Sequence, residues 1–164
     1  MIVQIKFLMK MPKGIFVYGR MLIMNLGHIA FTVKDMEKSL DFYCRVLGGK
    51  KAFEFRHPQT GAPWIIYVYL GEGEYIELFY DGEIDNPWKP ELRGFNHICI
   101  LVDDCVKKCE EVKAAGYPID SEPVQAVDKN WQCWLTDPDG IRIELMTLDP
   151  ESPQIKFAKE QGDM

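Results

Sequence analysis

Two histidines and two glutamates stand at matching places in this sequence. His28 lies in "LGHIAFTV" and His97 in "FNHICILV", 69 positions on; Glu77 lies in "YIEL" and Glu144 in "RIEL", 67 positions on. The chain has only 3 histidines, so two at equivalent positions point to a shared cause rather than to scattered solvated side chains. Imidazole nitrogen and carboxylate oxygen together suit Zn, Ni, Co, Mn or Fe(II), and two of each leave room on a six-coordinate ion for water or substrate. Two carboxylates in mutual contact repel unless one takes up a proton or a cation lies between them. His28, Glu77, His97 and Glu144 are therefore read as ligands of one divalent metal ion. The third histidine, His57 in "RHPQTG", belongs to a turn and is given no chemical role.

The elements that must position these residues are written twice. Residues 26 to 49 and 95 to 116 share one plan: a strand carrying the histidine, an aspartate suited to cap a helix, an amphipathic helix, and glycine at its end. Leu40, Tyr43 and Leu47 form the expected apolar stripe of the first helix; Cys105, Cys109 and Val112 form that of the second. Three extended segments follow each helix. In the first half they are 50 to 56, 64 to 70 and 74 to 80, the last two joined by "GEGE". In the second they are a weaker stretch at 118 to 127, then 131 to 136 and 141 to 147, joined by "DPDG". Each half reads βαβββ.

Strand parity then sorts the faces. Ile29, Phe31 and Val33 lie opposite His28, and the same alternation sets apolar residues opposite Glu77, His97 and Glu144. The apolar face should pack on the helices and leave the four ligands together on the other face. The fold class is thus α+β: two βαβββ modules forming a U-shaped mixed β-sheet, helices on the outer face. Module one spans 25–80, a Pro-containing linker 81–94, and module two 95–148 of one domain. Residues 1–24 are read as an extension outside the fold, and 149–164 as a polar tail with "IKF" docking back.

Composition excludes several functions. A net charge of -6 with no concentrated basic surface argues against nucleic acid. The first 23 residues carry Lys6, Lys10, Lys13 and Arg20 and no acid, but their apolar runs are too short for a signal peptide or a membrane span. Five cysteines without a CxxC pair fit reduced thiols in a cytoplasmic protein.

"HIAFTVKDMEKSLDFYCRVLGGK" and "WLTDPDGIRIEL" make the chain resemble the vicinal oxygen chelate superfamily, which includes glyoxalase I, methylmalonyl-CoA epimerase, extradiol dioxygenases, fosfomycin-modifying enzymes and bleomycin-binding proteins. The resemblance covers roughly residues 25 to 147. It implies a sheet curved around one metal and commonly a homodimer, in some members with the site shared between chains. The ligand order His, Glu, His, Glu is similar to that of glyoxalase I.

The activity so implied is that of a metal-dependent lyase or isomerase acting on a small molecule, with proton transfer beside a metal-bound carbonyl through an enediolate. Glu144 is then the principal base, with Glu77 a ligand and second base. Glutathione-using members carry Arg four residues after the first ligand and Asn four after the second; Thr32 and Asp81 stand there, which counts against a glutathione adduct. Arg142 shares parity with Glu144 and is a candidate anchor for an anionic substrate group, with Thr32 as a second substrate contact. Trp64, Tyr67, Tyr69, Trp131 and Trp134 are expected mostly in the core, one or two lining the cleft. The competing readings are an epimerase of the methylmalonyl-CoA type, an Fe(II) dioxygenase and a small-molecule-binding resistance protein.

Overall fold

A computed structural model describes residues 26–85, 89–91 and 93–162. The expected N-terminal extension lies outside the described residues. The first half runs β1 (His28–Thr32), α1 (Met36–Leu40), β2 (Lys50–Arg56), β3 (Pro63–Gly71) and β4 (Glu74–Phe79). The second runs β5 (Ile98–Leu101), α2 (Cys105–Ala114), β6 (Ser121–Gln125), β7 (Trp131–Thr136) and β8 (Arg142–Thr147), and α3 (Pro153–Glu160) follows. Both halves are βαβββ, and the class is α+β. No strand occurs among the described residues of the 81–94 linker.

The helices start where aspartates can cap them. Asp35 accepts from Lys38 N at 3.2 Å and Asp104 from Lys107 N at 2.9 Å, each satisfying a backbone donor that the first turn leaves unpaired. The first helix departs from the expected stripe. After Leu40 it widens into π-helical turns over Asp41–Val46, with Leu47 N bonded to Phe42 O at 2.9 Å. Widening the turn shifts the facing positions by one. Phe42, Tyr43 and Val46 are buried in consequence, while Leu40 and Leu47 are only half-buried. The segment ends on Gly48 at φ +83, and a Cβ on Gly49 would lie 2.7 Å from Tyr43 O, so both glycines are required by the exit. In α2 the expected residues Cys105, Cys109 and Val112 do face the core.

The strands form two four-stranded sheets, in the orders β1-β4-β3-β2 and β5-β8-β7-β6. Within each, the first strand pairs parallel to the last and the other pairings are antiparallel. The expected single U is therefore present as two halves, and the edges of β1 and β5 do not pair with each other. Parity holds. Ile76, Leu78, Ile143 and Leu145 are fully buried with Phe42, Tyr43, Cys109 and Val112 in one cluster drawn from both modules. Each such side chain contributes about 1.5–3 kcal/mol. The five aromatics Trp64, Tyr67, Tyr69, Trp131 and Trp134 are absent from that cluster: β3 and β7 fill the core with Ile66, Val68, Cys133 and Leu135, turning the aromatics outward or onto the site face. The tail is more ordered than its polarity suggests. Ser152, itself buried, caps α3 at Ile155 N, and Pro153 occupies the first helical position, where its missing N–H costs nothing.

The "DPDG" turn between β7 and β8 joins the modules. Tyr43 OH donates to Asp137 Oδ2 at 2.8 Å, and Asp137 Oδ1 accepts from the backbone of Asp139 and Ile141. Asp139 in turn accepts from Lys34 N at 2.8 Å and from the Ser39 hydroxyl. Burial is the main cause raising the Asp137 carboxyl above its ordinary range, against the hydrogen bonds that lower it. A raised folded-state pKa favours the neutral acid. That contribution is complete below the unfolded pKa near 3.8 and is lost as pH rises through the folded value. Asp137→Asn keeps the shape and most hydrogen-bonding capacity, so its stability relative to the parent should improve as pH rises through that window. Asp137→Ala leaves two N–H groups and a buried phenol without their acceptor and should cost about 3 kcal/mol or more in urea unfolding.

Candidate metal centre

β1 and β4 run side by side, and β4 sets Glu77 on the same face as His28, two residues along the register from the Tyr75 that pairs with it. His28 Nε2 lies 3.4 Å from Glu77 Oε1. In the second module His97, one residue before β5, has its Nε2 3.1 Å from Glu144 Oε2 on β8. Both carboxylates are buried, Glu77 at 6 % exposure and Glu144 at 8 %. Their neighbours decide whether that burial suits a metal. His97 Nδ1 donates to Asn96 Oδ1 at 2.8 Å, which orients the ring with its Nε2 toward Glu144. Two ligands about 2.1 Å from one ion and at right angles stand about 3.0 Å apart, close to the spacing of both pairs.

The quartet does not converge within one chain. Among the described residues no group of three or more His, Cys, Asp or Glu side chains is placed to share an ion. The expectation that four donors on one curved sheet reach a common point therefore holds only pairwise, because β1 and β5 belong to separate sheets. His57 is in its turn, where its Nδ1 accepts from Gln59 N and its ring meets Trp64 edge-on.

Arg142 and Thr32, the candidate substrate contacts, line one cavity of about 370 Å³ at the module junction. Arg142 lies 4.4 Å over the Trp134 ring and donates to Asn96 Oδ1, the amide oxygen that also holds His97. Sequence reasoning missed Arg93 and Lys34, two further cations of that cavity, which also contains Asp85 and Asp139. It also missed the roles of Asn96, Cys99 and Tyr67. Cys99 pairs in register with Glu144, and burial, followed by the charge of Glu144, pushes its thiol up to about 12. The phenol of Tyr67 donates to Glu77. No local signal gave Tyr67: counting back from the Gly71–Glu74 pair sets Val68 across from Glu77, and the register shift between Tyr69 and Gly71 brings Tyr67 there instead.

The family model described as the glyoxalase/bleomycin resistance protein/dioxygenase superfamily matches residues 25–145, nearly the whole two-module unit. The chain belongs to that superfamily. Among superfamily proteins it is 33 % identical over 128 residues to the lactoylglutathione lyase of Escherichia coli O157:H7, covering 75 % of this chain and 92 % of that one. It is 32 % identical over 128 residues to a probable lactoylglutathione lyase of Synechocystis, covering 95 % of that protein. A solved glyoxalase family protein from Enterococcus faecalis superposes with a TM-score of 0.65 at 22 % identity, covering 77 % of this chain and 99 % of the other, which supports the superfamily fold. No helix of the described residues is long and apolar enough to cross a membrane.

Proposed function

We propose that this protein is a metal-dependent lyase or isomerase of the glyoxalase I type, working in the cytoplasm as a homodimer on a small hydroxy-carbonyl substrate. One observation carries the reading: each half of the chain supplies one His–Glu pair, its carboxylate buried, spaced as two ligands of one ion, and a single chain holds the pairs apart. Two copies in a two-fold arrangement would set His28 and Glu77 of one against His97 and Glu144 of the other, twice per dimer. Among the described residues β1 and β5 each stand at a sheet edge, which supports such an assembly, since an edge strand beside apolar surface invites pairing. Ile29, Ile76, Ile98 and Ile100 line a cavity of about 700 Å³ between these strands, and Leu101 beside it is 58 % exposed. The five free cysteines fit the cytoplasm.

A bound Zn, Ni, Co, Mn or Fe(II) ion would polarise the substrate oxygens and stabilise charge developing on them. The protein's own groups do the rest. His28, Glu77, His97 and Glu144 would hold the ion. Glu144, buried but held by no phenol, takes the proton from the carbon beside the carbonyl and delivers it to the neighbouring carbon. Arg142, with Arg93 and Lys34 in the same cavity, orients an anionic group of the substrate, while Thr32 contributes only a hydroxyl. The relatives' names make glutathione adducts the first candidates, and the cations around Thr32 offset the missing arginine at that position.

The test is reconstitution. Protein stripped with a chelator should lose turnover of its substrate and regain it with one or more of Ni, Co, Zn and Mn, assayed on hemithioacetals of glutathione and of other thiols, α-hydroxy ketones and acyl-CoA esters. Activity that survives chelation unchanged would refute the metal centre. Turnover confined to acyl-CoA esters would make the chain an epimerase instead.

A further inference from the structure

Glu77 and Glu144 occupy equivalent places in the two halves, yet their neighbours across the hairpin differ. Tyr67 pairs directly with Glu77 in β3–β4, and Trp134 pairs directly with Glu144 in β7–β8. Side chains paired in this way share a face and lie close enough to interact. The Tyr67 hydroxyl donates to Glu77 Oε1, the same oxygen that faces His28. Its ring is held on several sides: Phe53 stacks on it at 4.5 Å, and Phe55, Tyr75 and His28 meet it at 5.9, 6.0 and 6.4 Å. A phenol clamped in this manner delivers its proton donor to one point, and a hydrogen bond to an ionised carboxylate is among the stronger kinds.

Among the described residues no phenol serves Glu144. The Trp134 ring lies edge-on to His97 at 4.8 Å and beneath the Arg142 guanidinium, so its interactions run to the histidine and the arginine. Glu144 has His97 Nε2 at 3.1 Å and the thiol of Cys99, a weak donor. One half of the duplicated site therefore fixes its carboxylate with a phenol, and the other offers its carboxylate an imidazole and a weakly donating thiol.

We propose that Tyr67 is a positioning residue whose hydroxyl pins Glu77 as the fixed carboxylate of the site, so that carrying the proton falls to Glu144. This rests on the functional reading above. It accounts for a division of labour between two glutamates that the internal duplication would otherwise make alike.

Tyr67→Phe removes one oxygen and keeps every ring contact, so the apo variant should stay folded, with its melting point lowered by the loss of one hydrogen bond. Cobalt(II) titration, followed by absorbance or calorimetry, should give an affinity weakened about 10- to 100-fold, the usual effect of losing a group that orients a ligand. The second readout is one that a merely structural role would not move. At saturating cobalt, Tyr67→Phe combined with Glu144→Gln should turn over faster than Glu144→Gln alone, because the released Glu77 can then carry the proton. Unchanged cobalt affinity, or a double variant no faster than the single one, overturns the proposal. Parent protein that takes up no cobalt overturns the metal-centre reading and this inference with it; a parent that binds cobalt no better than Tyr67→Phe overturns the inference alone.

Discussion

Glu144→Gln folds as the parent does and loses turnover by about 10²- to 10⁴-fold, the range expected when acid-base catalysis is removed. The amide matches the carboxylate in volume at a site only 8 % exposed, and it can still interact with His97 at 3.1 Å. It cannot accept and return a proton. The loss should therefore appear in kcat with KM little changed, since ground-state contacts at the junction cavity are untouched. Assays belong at saturating metal, because an amide is also a poorer ligand than a carboxylate. Thermal unfolding of the apo form should match the parent within a few degrees. Turnover equal to the parent's would remove Glu144 from the chemistry.

Two inactive variants should restore activity when co-expressed. A chain carrying His28→Ala loses the ligand pair of its first half, and a chain carrying His97→Ala loses that of its second. Each homodimer then has two defective sites. In a two-fold dimer that builds each site from the first half of one copy and the second half of the other, the mixed dimer has one site with both defects and one with neither. Random pairing makes half of the dimers mixed, so the mixture should recover roughly a quarter of parental activity, while each variant alone stays near the chelated background. A site contained within one chain would give no recovery, since every copy would carry its own defect. The separation of the two pairs in the structure is what makes recovery the expected result.

Much of the fold was legible because its determinants are local. Asp35 and Asp104 announce helix starts through side-chain reach alone, and strand alternation around Glu77 and Glu144 separates an apolar face from a polar one wherever a strand has one side on a core. Duplication supplied a second reading of each motif, so His28 could be matched to His97 and Glu77 to Glu144 before any geometry was known. The misreadings lie where neighbours in space decide. The stripe Leu40, Tyr43, Leu47 assumes 3.6 residues per turn, whereas π turns at Asp41–Val46 rotate Phe42 into the core beside Tyr117. The aromatic residues of β3 and β7 looked like core by size; the adjacent helices leave room there for Ile66, Val68, Cys133 and Leu135 instead.

By itself the sequence determined the two-module α+β plan and singled out the four residues proposed as ligands, because periodicity, capping and repetition act within a few residues. Tertiary structure decided which donors actually meet. Pairing β1 with β4 and β5 with β8 couples each histidine to one glutamate, the break between the sheets holds the couples apart, and the register of β3 brings Tyr67 to Glu77. Pairing partners distant along the chain are chosen by the packing of whole elements, and no short stretch of residues encodes that choice.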